Sequence, residues 1–165
     1  ESSEAAIITA SDKGSRGERV DESGAKVAEI LAANGYTVVE KTVLPDEQEQ
    51  LEAKMRNWLN AVWRYRNTGG TGFSPRDITP EATLAVCERL APGIPVAMRA
   101  MSLKITDRAM LSRAQAGICR RSLIVNLPGS RKAVEECLGF LLPPLKHGID
   151  ILRGELESAD GYNDI

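Results

Sequence analysis

Ser122-Leu123-Ile124-Val125-Asn126-Leu127-Pro128-Gly129-Ser130 is the stretch that sets the fold class. Six residues of almost unbroken apolar character stop at a Pro-Gly pair, and Ser130 then stands as an N-cap before a helical stretch from about Arg131 to Leu142. A strand this apolar is covered on both faces, as in parallel sheets. Upstream, Ala5 to Ala10 reads as a second buried strand. It is followed by an amphipathic helix in which Val27, Ile30 and Leu31 share a face, ending at Asn34-Gly35. Thr37 to Leu44 is β-branched and predicts a strand. Glu47 to Asn60 predicts a helix with Leu51, Met55, Trp58 and Leu59 facing the core. Thr79-Pro80-Glu81 reads as an N-cap with proline in the first turn of a helix reaching Leu90. A last, separate helix is expected after Pro143-Pro144. Arg120-Arg121 reads as a solvated strand entrance. Alternating strands and helices predict one α/β domain over residues 1–157, with a mostly parallel sheet between two helical layers. The polar tail 158–165 is expected to fray.

The chain has 165 residues, 42% hydrophobic, enough for one continuous core. Twenty-one basic and 23 acidic side chains leave a net charge of -2, which supplies no general field for nucleic acid or an anionic membrane. No apolar run approaches the ~20 residues of a membrane span, and residues 1–10 lack the pattern of a signal peptide. Cys87, Cys119 and Cys137 are too scattered to form a zinc site with the lone His147, so reduced core cysteines in a cytoplasmic protein are expected, without zinc. One histidine also disfavours a Ser-His-Asp or Cys-His triad.

In an open parallel sheet, ligands bind beyond the carboxyl ends of the strands. Four polar loops leave strand ends here: Ser11-Asp12-Lys13-Gly14, Pro45-Asp46-Glu47, Thr68 to Asp77, and Leu127 to Ser130. In the third, Gly69, Gly70 and Gly72 lie between Thr68, Thr71 and Ser74 and allow backbone N–H groups to approach an anion, although such a string also suits a plain tight turn. It is neither the G-x-G-x-x-G fingerprint nor a P-loop, so NAD is not expected. Asp46 and Asp77 each follow a strand end, and two carboxylates beside a phosphate-binding loop suit Mg²⁺ bridging substrate phosphates. Each also reads as a helix cap, and Asp12 as an ordinary loop residue.

Thr68-Gly69-Gly70-Thr71-Gly72-Phe73-Ser74-Pro75-Arg76-Asp77-Ile78-Thr79-Pro80-Glu81-Ala82-Thr83 resembles the signature of the molybdopterin-binding Mog/MoaB family, which includes bacterial molybdopterin adenylyltransferases and the G domain of gephyrin. Ser11-Asp12, Asp21-Glu22-Ser23-Gly24, Leu44-Pro45-Asp46-Glu47, Met98-Arg99 through Ser102, Leu111 to Gly117 and Asn126 to Ser130 extend the resemblance from about residue 5 to 154. It implies a homotrimer that transfers AMP from ATP to molybdopterin with Mg²⁺, releasing pyrophosphate, or else a pterin-binding scaffold of the same family without turnover. Contacts with other molybdenum-cofactor enzymes are also implied. Carried over by position, Thr68, Gly69, Gly70, Thr71, Gly72 and Ser74 would hold the pterin and its phosphate. Asp46 and Asp77 would be catalytic and would hold the Mg²⁺. Ser11, Asp12, Pro128, Gly129 and Ser130 would line the nucleotide. Where the family has a nearly all-apolar strand before the glycines, this chain has Ala61-Val62-Trp63-Arg64-Tyr65-Arg66-Asn67, and two arginines there predict a locally irregular segment. Arg131 replaces a proline common after the turn.

Overall fold

The structure, a computed structural model, describes residues 3–59 and 64–154. Its elements run β1 (Ser3–Ala10), α1 (Asp12–Ser15), α2 (Glu22–Ala33), β2 (Tyr36–Leu44), α3 (Gln48–Trp58), β3 (Arg64–Thr68), α4 (Thr79–Val86), β4 (Arg89–Leu90), α5 (Gly93–Leu103), a 3-10 turn (Asp107–Leu111), β5 (Ala116–Cys119), β6 (Ser122–Leu127) and α6 (Arg131–Leu152). The six strands form one sheet in the order β2-β1-β3-β6-β5-β4. The first four are parallel, and β5 and β4 extend the sheet antiparallel.

Alternation along β1 divides the core. Ala5 and Ile7 face one layer, with Val27 and Leu31 of α2, Met98 of α5 and the apolar side of α6. Ala6, Ile8 and Ala10 face the other, with Leu51, Met55 and Trp58 of α3 and Ala82 and Val86 of α4. Leu123, Val125 and Leu127 of β6 join the first layer and Ile124 the second. A strand buried on both faces favours apolar residues, hence Leu123-Ile124-Val125 in β6, while the buried Asn126 accepts from Gln115 N and donates to Thr83 Oγ1.

Several expectations change. Residues 131–152 form one helix, with Pro143 and Pro144 inside it rather than between two helices. An interior proline costs about 3 kcal/mol, but Leu141, Leu142, Leu145 and Ile149 on both sides of the pair are buried in the same core, each contributing about 1.5–3 kcal/mol. The helix expected to reach Leu90 ends at Val86, and Arg89–Leu90 pairs with Ile118 and Gly117. Ile78 rather than Thr79 is its N-cap. Arg120-Arg121 is exposed just before β6, as expected, and also forms the turn of the β5–β6 hairpin, with Arg120 at φ +55°. Residues 94–110 hold most of α5 and the start of the 3-10 turn. Met98 there belongs to the core.

The arginine-bearing segment is no irregularity in its backbone. Arg64 to Thr68 pairs without a register break with Leu123 to Leu127, and Tyr65 to Thr68 pairs with Ala6 to Thr9. Ladder hydrogen bonds come from main-chain groups that every non-proline residue carries, so polar side chains do not prevent pairing. Ala61, Val62, Trp63 and the tail 158–165 lie outside the described residues.

Candidate active site

From β1 the chain turns outward to β2 on one side and then returns to β3 on the other. The carboxyl ends of β1 and β3 therefore flank a switch in strand order, where open α/β sheets bind ligands. An open cleft of about 1040 Å³ lies there. Ser11, Asp12, Asp46, Gly69, Gly70 and Ser74 line it, as do Asp77, Gly129 and Ser130, so the structure brings four predicted loops together. Thr68, Thr71, Gly72 and Pro128 adjoin this lining as neighbours in the same loops.

The glycines answer to the backbone as well as to a ligand. Gly69 has φ +87°, and a Cβ added to it would lie 2.6 Å from Ala10 O. Gly70 has φ +68°, and its added Cβ would lie 2.4 Å from Thr79 Oγ1 and 3.0 Å from Asp46 Oδ1. A side chain at either position meets both a disfavoured φ and occupied space. The loop is further held by Thr79 N donating to Gly70 O at 3.1 Å.

Among the described residues lining the cleft, Asp46 alone has a buried side-chain oxygen without a hydrogen-bond partner. Its Oδ2 accepts the Asp12 N–H at 3.1 Å, while the Asp46 N–H donates to Asp12 Oδ1 at 3.0 Å, a reciprocal pair that ties the loops after β1 and β2. Its Oδ1 is buried without a partner, as is the neighbouring Thr79 Oγ1. Burial pushes the Asp46 carboxyl above the usual range. The Asp12 N–H opposes this, and the charges of Asp12 and Asp77 add to it. Asp12 goes the other way. Arg76 Nε and Nη2 donate to its two oxygens at 3.0 Å each, which holds its carboxyl low with help from the Asp46 N–H. Arg76 Nη2 also reaches Glu47 Oε1 at 2.9 Å.

Asp77 does not cap the following helix. Its Oδ2 accepts the N–H groups of Gly72 at 3.1 Å and Ser74 at 3.0 Å, so it shapes the loop it follows. Ser11 and Ser130 use their hydroxyls as N-caps, accepting from Gly14 N and Ala133 N. Asp21 caps α2 through Gly24 N and accepts the Thr9 hydroxyl at 2.7 Å.

Sequence reasoning missed Arg113 as a functional residue. It lies in the Leu111–Gly117 motif, and its guanidinium donates to Gly72 O and Asp77 O at 2.7 Å each and to Glu81 Oε1 at 2.5 Å; its own N–H meets Thr71 O at 2.8 Å. The motif was visible; no pattern announced its target. Lys13, Arg19 and Arg131 also line the cleft, interspersed with the carboxylates of Asp12, Asp21 and Glu22. Lys13 and Arg131 adjoin motif residues, whereas Arg19 carried no signal. Away from the cleft, burial pushes the Cys87 thiol up to about 12, with Cys119 adding to it, and raises Cys119 and Cys137, so all three stay protonated.

The residues present fit Mg²⁺. Asp46 Oδ1 is an unpartnered hard oxygen beside a loop suited to phosphate, and Mg²⁺ is commonly held by one or two carboxylates plus substrate phosphates. Among the described residues no cluster of three or more His, Cys, Asp or Glu forms a metal cage by itself.

Comparison with known proteins agrees with this geometry. The model for a probable molybdopterin binding domain matches residues 6–147. A molybdopterin adenylyltransferase of Helicobacter pylori (strain J99) is 37% identical over 164 residues, covering 95% of this chain and 92% of that protein. Gephyrin of Dictyostelium discoideum is 39% identical over 166 residues, covering 93% of this chain; the chain spans 23% of the length of gephyrin. The solved structure of the molybdopterin biosynthesis enzyme MoaB from Thermus thermophilus superimposes with a TM-score of 0.86 at 40% identity, covering 92% of this chain and 96% of that one. By sequence over most of its length and by fold, the chain belongs to the molybdopterin-binding domain family.

Proposed function

We propose that the protein is a molybdopterin adenylyltransferase of molybdenum-cofactor biosynthesis, as its Helicobacter pylori relative is named. The observation that carries this reading is the buried, unpartnered Asp46 Oδ1 beneath Gly70, in a cleft of about 1040 Å³. That volume lies just above the roughly 300–1,000 Å³ of single-ligand pockets, which suits two substrates held together. A phosphate oxygen of the pterin attacks the α-phosphorus of ATP. The bond from that phosphorus to the bridging oxygen breaks, and pyrophosphate leaves. Such a transfer needs positioning and charge neutralisation more than a strong base. Thr68 to Gly72 and Ser74 would take the pterin phosphate, and Ser11, Asp12 and Pro128 to Ser130 the nucleotide. Asp46 and Asp77 would hold Mg²⁺, which supplies charge neutralisation to the phosphates when bound.

Incubation of the protein with molybdopterin, ATP and MgCl₂, followed by mass spectrometry, is expected to yield adenylylated pterin and one pyrophosphate per product. Tight pterin binding without that product would leave the scaffold reading in its place.

The assembly we propose is a homotrimer in the cytoplasm. No helix among the described residues is long and apolar enough to cross a membrane. Val96 and Met101 of α5, with Ile105, Met110 and Leu111 beyond it, leave apolar side chains exposed, Met110 by 66%. Closed symmetry would bury that patch equally in every subunit. Light scattering is expected to report three chains of 17.9 kDa, and Met110→Glu to lower the mass. A single-chain mass that persists as concentration rises would contradict this assembly.

A further inference from the structure

The chain uses an exposed arginine to connect three of the four cleft loops. Arg76 follows the Gly-rich loop after β3, Asp12 follows β1, and Glu47 follows β2. The guanidinium meets both oxygens of Asp12 and one of Glu47, all at 2.9–3.0 Å. Glu47 stands at the N-cap of α3 yet makes no capping hydrogen bond with its side chain; its carboxylate goes to Arg76 instead. The arginine side chain is 52% exposed, and exposed ion pairs contribute little to folding. The fork therefore joins three loops of the cleft at their solvent side, where it bears on the geometry of the cleft.

We propose that Arg76 is a positioning residue for adenylyl transfer: forked across Asp12 and Glu47, it holds the Asp12–Asp46 pair closed and so keeps Asp46 Oδ1 aimed beneath Gly70. This rests on the adenylyltransferase reading. The two aspartates bind each other only through one N–H apiece, and their carboxylates repel. Without a cation on Asp12, that repulsion opens the pair and frees the loops after β1 and β2 to separate. Arg76 counters it from the solvent side without occupying Asp46, whose second oxygen stays available to ligand. A bidentate guanidinium suits this task better than a lysine ammonium, which supplies the charge but not the fork.

The test compares Arg76→Gln, Arg76→Lys, Asp12→Asn and the Asp12→Asn/Arg76→Gln double variant by steady-state kinetics and by amide hydrogen exchange at Asp12 and Asp46. Arg76→Gln is expected to lower kcat about tenfold or more while the KM for pterin changes by less than about twofold. Both amides are expected to exchange faster, and Arg76→Lys to recover part of each loss. If Arg76 acts through Asp12, the double variant is no slower than Asp12→Asn alone. Unchanged kcat and exchange in Arg76→Gln, or losses that multiply in the double variant, would overturn the proposal. Should Arg76→Gln fail to fold, Glu47→Gln removes one anchor of the fork and is expected to speed the same two amides; no change there would also overturn it. Absence of adenylylated pterin from the wild-type protein would instead sink the functional reading, and the amide exchange would still decide whether Arg76 holds the aspartates together.

Discussion

Two arginines tie the Gly-rich loop to the rest of the site, Arg113 from outside it and Arg76 from its own end, and they do so in opposite ways. Arg113 is the more buried, 35% exposed, and spends its donors mainly on main-chain oxygens, those of Gly72 and Asp77, with Glu81 as its counter-ion. Arg76, more exposed, spends its donors on the carboxylates of other loops. Main-chain oxygens define where the loop runs, so Arg113 sets shape. Carboxylates define where charge sits, so Arg76 sets the electrostatics of the cleft. A fold can thus build and tune a site with one residue type, separated by what the guanidinium touches.

Breaking the shape-setting grip should have the largest effect. Arg113→Met leaves Gly72 O and Asp77 O without that donor and Glu81 without its counter-ion. The expected cost is about 2–3 kcal/mol, mostly from the two main-chain oxygens because the Glu81 pair is screened by solvent, or a Tm drop of roughly 4–12 °C, with pterin affinity and turnover lost together. A normal melting curve with normal pterin affinity would show that the loop holds its shape without Arg113.

Gly70→Ala should come next, because it deforms the same loop from inside. The left-handed φ costs about 1–2 kcal/mol, and the contact with Thr79 Oγ1 adds to it. Calorimetry together with pterin titration checks this, and unchanged values in both would mean that the loop readily adopts another path.

Asp77→Asn sharpens the comparison, since Asp77 serves both shape and charge. The amide oxygen can still accept the N–H groups of Gly72 and Ser74, so the expected Tm shift is small, about 2–4 °C. Turnover should still fall on the order of a hundredfold. Full activity would restrict Asp77 to shaping the loop.

Asp46→Asn is expected to change stability least and in the opposite direction. Burial raises the Asp46 carboxyl, so its ionised form disfavours the folded state. That penalty is complete above the folded pKa and is relieved as pH falls toward the ordinary carboxylate value. Removing the charge is therefore expected to raise Tm slightly, on the order of 1–3 °C near neutral pH, with the gain fading toward pH 4. A gain that grows with acidity would refute this sign.

Three of the six strands, β1, β2 and β6, were legible because their signals are local. The apolar core of β6 and the apolar β1 were readable residue by residue, and so were the caps at Asn34-Gly35 and Ser130. The failures lie where distant packing overrides local chemistry. Pro143-Pro144 reads as a stop, yet the core on both sides carries the helix through. Arg89–Leu90 is too short to show an alternation, and Gly93 and Pro95 disguise the start of α5. Within the site, the Gly-rich string and the four loops were readable, as were Asp46 and Asp77. The reciprocal Asp12–Asp46 pair and the two arginine grips join residues 29 to 64 positions apart, and no spacing rule encodes such contacts.

The most direct test is a single-turnover experiment on wild-type protein and Asp46→Asn with saturating molybdopterin, ATP and Mg²⁺, alongside separate titrations of each substrate. The expected result is one adenylylated pterin per wild-type site. Asp46→Asn is expected to bind both substrates within a few-fold of wild type and to form product at least about a hundredfold more slowly. Product at the wild-type rate from Asp46→Asn, or none from the wild-type protein with both substrates bound, would contradict the placement of adenylyl transfer at this carboxylate.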